Sequence, residues 1–191
     1  MKTKLLFTLT CCILMGMQTV FAQKKAYEQG DLFIHAGTSL GYYGYGLAGN
    51  RSGAFIPVTA SVEKGIHESI SVGPYIGYAS WKYRNYGYDY RWNFTSVGVR
   101  GTYHAVPVIN EALGTSINEE KLDLYGTLLL GLEFRTFSGS DEFSGSNANS
   151  TNLFIGPVLG AKYKFNDKVG IYFEGGRGAF GFGTLGVSIN L

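Results

Sequence analysis

The stretch LDLYGTLLLGLEFRTF, residues 122–137, decides the fold. Leu122, Leu124, Leu128, Leu130, Leu132 and Phe134 share one parity, and Asp123, Tyr125, Thr127, Glu133 and Arg135 share the other. In an extended strand successive side chains point to opposite faces, so this segment has one apolar and one polar face. The split recurs downstream, where Leu153, Ile155, Pro157, Leu159, Ala161, Tyr163 and Phe165 oppose Asn152, Gly156, Gly160, Lys162 and Lys164. Upstream it runs through Ile70, Val72, Pro74, Ile76 and Tyr78, and it closes the chain in Leu185, Val187, Ile189 and Leu191.

Marking every such segment gives eight strands, at about 31–43, 54–64, 69–83, 91–105, 122–137, 151–165, 169–177 and 180–191, and an all-β chain. An even count brings both ends to the same side. The connections 43–54, 84–90 and 138–150 are long and rich in Gly, Ser, Asn and Tyr, whereas 65–68 and 166–168 are tight turns. Long loops on one rim and short turns on the other are the asymmetry of a membrane barrel. Two connections depart from it. Residues 106–121 form a long link on the short-turn side, with a helical turn expected near Asn110–Leu113, and the link near 176–179 is short on the long-loop side.

The N-terminus reads as an export signal over residues 1–22. Lys2 and Lys4 precede an apolar run from Leu5 to Met17, and Val20, Phe21 and Ala22 resemble a cleavage site. A mature chain from residue 23 keeps 169 of the 191 residues, and residues 23–30 are expected to be a flexible lead-in to a barrel over 31–191. The signal carries two of the 16 basic residues and both cysteines, Cys11 and Cys12. What remains is 14 bases against 14 acids, without the basic face a nucleic-acid binder uses to displace counterions. It also has no thiol for a disulfide framework or a thiolate metal site.

Alternation alone does not say which face meets solvent, because a soluble sandwich or cup also alternates. The polar parity is more informative. It collects His35, Glu63, Arg100, Asp123, Glu133, Arg135, Lys162, Lys164 and Glu174, with small residues between them. A closed eight-stranded sheet has an interior just wide enough for side chains to fill, where such charges pair. The other parity is almost free of charge over the roughly 9–11 residues that a strand needs to cross a bilayer. Closure also removes the unpaired edges that lipid would not tolerate. The expectation is therefore a closed eight-stranded antiparallel transmembrane β-barrel, an up-and-down meander. Trp81, Tyr83, Tyr86, Tyr88, Tyr90 and Trp92 cluster around the second long loop, with Tyr42, Tyr43 and Tyr45 at the first. They read as an interfacial girdle, or alternatively as a platform for a surface glycan or protein.

Residues 31–191 resemble the small outer-membrane β-barrels, the OmpA-like transmembrane domain and OmpX-like group, and especially the outer-membrane β-barrel domain proteins of Bacteroidota. The most specific element is the C-terminus, where Thr184, Gly186, Ile189 and Leu191 look like the terminal signal read by the barrel-insertion machinery. Leu191 stands where that family more often has an aromatic. The resemblance implies an internal cluster of paired charges, for which Arg100, Glu133, Arg135, Lys162 and Glu174 are the candidates. It also implies residence in the outer membrane among phospholipid and lipopolysaccharide, as a monomer.

Catalytic chemistry has little to stand on in the sequence. Ser39 and His35 share a parity but lie about 13 Å apart along one strand, too far for a nucleophile and its base. The three His residues are scattered, and Ser140, Asp141, Glu142, Asn147 and Asn149 lack the ordered spacing of a calcium loop. No cofactor, metal or catalytic residue is assigned. The function expected is non-enzymatic: structural support of the outer membrane, with adhesion or ligand capture by the aromatic loops. The alternatives are a narrow pore for ions or small solutes and a lipid- or lipopolysaccharide-modifying barrel enzyme.

Overall fold

The computed structural model describes residues 25–40, 51–85, 88–139, 149–178, 180 and 182–191. The signal segment, the first long loop with its tyrosines, Tyr86 and most of the third loop with the acidic stretch at 140–142 lie outside the described residues. Eight strands follow one another: β1 (Leu32–Leu40), β2 (Arg51–His67), β3 (Ile70–Asn85), β4 (Tyr88–His104), β5 (Leu122–Gly139), β6 (Ser150–Lys164), β7 (Val169–Gly176) and β8 (Gly183–Asn190). Each pairs antiparallel with the next, and β8 returns to β1 through Ile34↔Ile189 and Ala36↔Val187, closing a meander barrel with no free edge.

The two parities fall on opposite sides of the wall. Along β5, Leu128, Leu130, Leu132 and Phe134 are exposed while Asp123, Tyr125, Thr127 and Leu129 are buried. On β6, Leu153, Ile155, Leu159 and Tyr163 face out, with Leu159 75% exposed, and Phe154, Val158, Lys162 and Lys164 face in. β3, β7 and β8 repeat this with Val72, Ile76, Ile171, Phe173, Leu185, Val187 and Ile189 outside. A water-soluble protein would cover so continuous an apolar surface. Around this wall it is the transmembrane band, edged on the short-turn side by Tyr103, Tyr163 and Phe165.

Three sequence expectations are corrected. The connection 84–90 is not a long loop. The β3–β4 ladder continues through Trp81↔Trp92 and Tyr83↔Tyr90 to Asn85↔Tyr88, so Asn85, Tyr88 and Tyr90 extend a hairpin. The lead-in is placed. Ala26, Tyr27 and Asp31 are buried against the short-turn end of the barrel, where Ala26 N donates to Glu119 O at 2.6 Å and Gly30 N to Gly65 O at 2.9 Å. The link after β7 runs on to Gly183, so β8 starts there and not at Phe180, which is fully buried.

The long connection 106–121 carries helix α1 (Val106–Leu113). Pro107 sits in its first turn, where a missing N–H is harmless, and Gly114 ends it in the left-handed region at φ 61°.

Candidate functional site

The interior has two halves of different chemistry. Toward the short turns it is ionic. Glu63 of β2 is the hub: Oε1 lies 2.9 Å from Arg100 Nε and 3.3 Å from His35 Nε2. Its Oε2 accepts from Ser71 Oγ at 2.9 Å and Thr102 Oγ1 at 2.6 Å. Arg100 Nε meets Glu63 by proximity of charge without an aligned N–H bond. Arg100 Nη2 reaches across the barrel to Glu174 Oε1 at 2.7 Å, which also accepts from Tyr125 O–H at 3.1 Å. Nearer the end, Asp123 Oδ2 lies 3.2 Å from Lys162 Nζ and 2.8 Å from His104 Nδ1. Lys162 Nζ also stands 4.0 Å from the centre of the Phe33 ring, a cation–π contact. Lone charges here would be costly, and these are tolerated because each is paired and hydrogen-bonded by several strands at once.

Toward the long loops the interior is aromatic. Trp81 packs edge-on against Phe94, ring centres 5.0 Å apart, and Tyr75, Leu129, Phe154, Val158 and Phe180 complete the cluster. Between the halves lies a cavity of about 20 Å³ lined by residues that include Ser61, Arg100, Tyr172 and Glu174, room for about one water.

The short-turn end is capped. Tyr27 stacks on His104, and its single hydroxyl proton is shared between two carbonyls, His67 O at 2.6 Å and Ile70 O at 2.5 Å. Burial first, then the Asp31 carboxylate, pushes the Tyr27 phenol up to about 12, so it remains a donor at neutral pH. Lys164 Nζ donates to Lys25 O at 2.9 Å, and Lys25 Nζ pairs with Glu119 at 3.0 Å.

Of the five charges expected to cluster, Arg100 and Glu174 meet directly, and Lys162 joins Asp123 beside them. Glu133 and Arg135 do not join. They pair with each other at 2.9 Å, and Arg135 is 45% exposed. Both share the parity of Leu129, which stands opposite Arg100, but sit four and six residues further along β5, toward the long loops. Trp81 and Trp92 are not part of a lipid-facing girdle, because both share the inward parity of Phe94. The backbones of Tyr83, Tyr88 and Tyr90 belong to the hairpin ladder. Thr184 faces in, 3.3 Å from Ser39 Oγ, while Ile189 and Leu191 face out, and Leu191 N donates to Leu32 O at 2.9 Å.

Sequence spacing does not bring Glu63, Ser71 and His104 into one site, since their partnership needs three strands in register. Ser71 Oγ, His104 and Asp123 form a chain with spacings of 3.0 and 2.8 Å, a nucleophile–base–acid order. It is not poised for attack. Ser71 is 1% exposed, and its hydroxyl donates to Glu63 rather than to the imidazole. The chain ties β3, β4 and β5 together.

No protein-family model matches the chain, and no curated protein matches it. Among solved structures it is similar to Ail, the attachment invasion locus protein of Yersinia pestis, in complex with the heparin analogue sucrose octasulfate. The identity is 16% and the TM-score 0.48, over 85% of this chain and 95% of that one. It is similar to a de novo designed transmembrane β-barrel at 12% identity and a TM-score of 0.47, over 88% of this chain and all (100%) of the other. It is also similar to the N-terminal β-barrel domain of Pseudomonas aeruginosa OprF at 16% and 0.46, over 86% and 100% of the two chains.

Proposed function

We propose that this chain is a non-enzymatic integral protein of the outer membrane. It is a closed structural barrel that presents aromatic-rich loops and a hairpin to the outside for adhesion or ligand capture. The observation that carries the reading is the filling of the interior. Among the described residues the barrel holds an ionic network, an aromatic cluster and a cap at the short-turn end, and the cavities beside the network and under the cap measure about 20 and 10 Å³. Such an interior favours a stiff, filled barrel over an open channel.

The wall supports the membrane setting. Beyond the apolar stripe of β3 and β4, the Ser80–Asn93 pair is followed by Lys82 and Arg91, which oppose each other on the outer face. Two cations at that height suit the phosphates of an anionic outer leaflet, lipopolysaccharide included. The cap and α1 then lie on the periplasmic side. Export by the signal over 1–22, insertion through the C-terminal signal at Thr184, Gly186, Ile189 and Leu191, and residence as a monomer belong to the same reading.

Planar-bilayer recording on the refolded mature chain tests it, with no steady conductance expected. A reproducible open channel would replace it with the narrow-pore alternative. Lipid mass spectrometry of cells with and without the protein tests the enzymatic alternative, and no change in lipid A or phospholipid masses is expected.

A further inference from the structure

Most glycines in the strands answer to a neighbour. A Cβ at Gly160 would fall on the Tyr125 ring and one at Gly186 on the Tyr172 ring, and at Gly73, Gly98 and Gly131 it would strike the backbone of the next strand. Gly101 and Gly126 differ. Both have the outward parity, and a Cβ would meet only Val72 Cγ1 at 4.0 Å in the first case and Leu159 Cδ2 at 3.7 Å in the second. Gly175 and Gly183 also have room, but each faces the Phe173 ring. Nothing within the barrel therefore requires positions 101 and 126 to lack a side chain. A glycine inside a strand weakens it and often marks the close approach of another body.

The ladder sets the two glycines diagonally, Gly101 opposite Leu128 and Gly126 between Tyr103 and Leu159. Together they floor an open furrow of about 470 Å³ on the outer wall, bounded by Ile70, Tyr103, Leu128 and Leu159. It lies in the half of the wall next to the short turns and is continuous with the apolar band. No charged side chain lines it.

We propose that this furrow seats one acyl chain of an inner-leaflet phospholipid, an inference that rests on the outer-membrane reading above. A slit one side chain deep, open along the band and without charge, accepts a slender hydrocarbon chain. Tyr103, 45% exposed at the end of β4, stands where its hydroxyl reaches the ester and phosphate level. A second copy fits less well. A two-fold interface sets the same surface against itself, and two concave strips leave a void between them.

Native mass spectrometry of the mature chain tests this, with palmitoyl-oleoyl-phosphatidylethanolamine as the probe in mild detergent. The wild type is expected to retain one phospholipid. Gly101→Leu with Gly126→Leu is expected to retain about tenfold less, the equivalent of roughly two methylenes of lost contact. Ala36→Leu with Ala60→Leu, which places the same leucine side chains at outward positions on β1 and β2, is expected to behave as the wild type. Should the glycine pair variant not fold, Gly126→Leu alone carries the comparison. Equal retention by all three proteins, a lipid-free dimer, or retention of lipid A in preference to phospholipid would each overturn the proposal. A chain that inserts into vesicles yet retains no lipid removes the furrow site alone. One that stays dissolved without detergent removes the membrane reading as well.

Discussion

The ring of Tyr27 lies parallel to the ring of His104, with centres 3.5 Å apart and planes 10° from each other. One residue of the lead-in thus covers the buried chain of His104, Asp123 and Lys162 and seals that end of the barrel. Tyr27→Ala removes a buried ring and its shared hydrogen bond and is expected to destabilise the detergent-folded protein by about 3 kcal/mol. Tyr27→Phe keeps the stack and is expected to cost about 1 kcal/mol. Urea unfolding followed by gel migration checks both.

Arg100 neutralises two carboxylates at once. Arg100→Ala leaves Glu63 and Glu174 buried without their shared cation, and a loss of about 3–5 kcal/mol is expected. Arg135→Ala breaks an exposed pair with Glu133 and is expected to cost roughly 0–1 kcal/mol. Unfolding midpoints of the two variants, measured side by side, distinguish a shared inner network from charges that merely share a parity.

The lead-in is held in part by Glu119. Its carboxyl is kept below the ordinary value of 4.5, first by the Asn110 amide and then by Lys25. A depressed acid contributes above its unfolded value, and the contribution is lost as pH falls through the folded one. The Lys25–Glu119 contact should therefore be intact at neutral pH and weaken below 4.5. The protection factors of the Ala26 and Tyr27 amides, each corrected for the intrinsic exchange rate at its pH, are expected to be lower at pH 3 than at pH 7, and Glu119→Gln should lower them already at pH 7.

Glycines on the two faces should respond oppositely. Gly160→Ala drives a methyl into the Tyr125 ring, with an expected loss of about 2 kcal/mol. Gly126→Ala meets only Leu159 Cδ2, at an ordinary contact distance of 3.7 Å on the outer wall, and should be neutral or stabilising by roughly 0.5–1 kcal/mol. Thermal scans in one detergent check the sign of each.

Parity along each strand was enough to place the apolar wall and the inward acids and bases, because a two-residue period admits only two faces. It even held the answer for Trp81, which continues the row of Tyr75 and Ala79 into the interior. The preference of tryptophan for interfaces pointed the other way, and the parity prevailed. What parity lacks is height. Glu133 and Arg135 face in, yet they stand too far along β5 to reach Arg100, while Glu174, 74 residues from Arg100 in sequence, touches it. Those distances follow from the register and tilt of eight strands, which no single segment encodes. The cap escaped for a similar reason, since Tyr27 finds its place only when the turn at His67–Ile70 and the end of β4 are side by side.

The central claim is that the apolar stripe of each strand faces hydrocarbon and the other stripe fills the centre. Residues 23–191 contain no cysteine, so in a chain of those residues single cysteines at positions 127–132 of β5 can each carry a nitroxide in lipid vesicles. Oxygen and aqueous-relaxant accessibilities should alternate with period two. Labels at Leu128, Leu130 and Leu132 should be oxygen-accessible at lipid depth, while those at Thr127 and Leu129 should be shielded. The opposite phase, or labels at Leu128, Leu130 and Leu132 that face water, would contradict it.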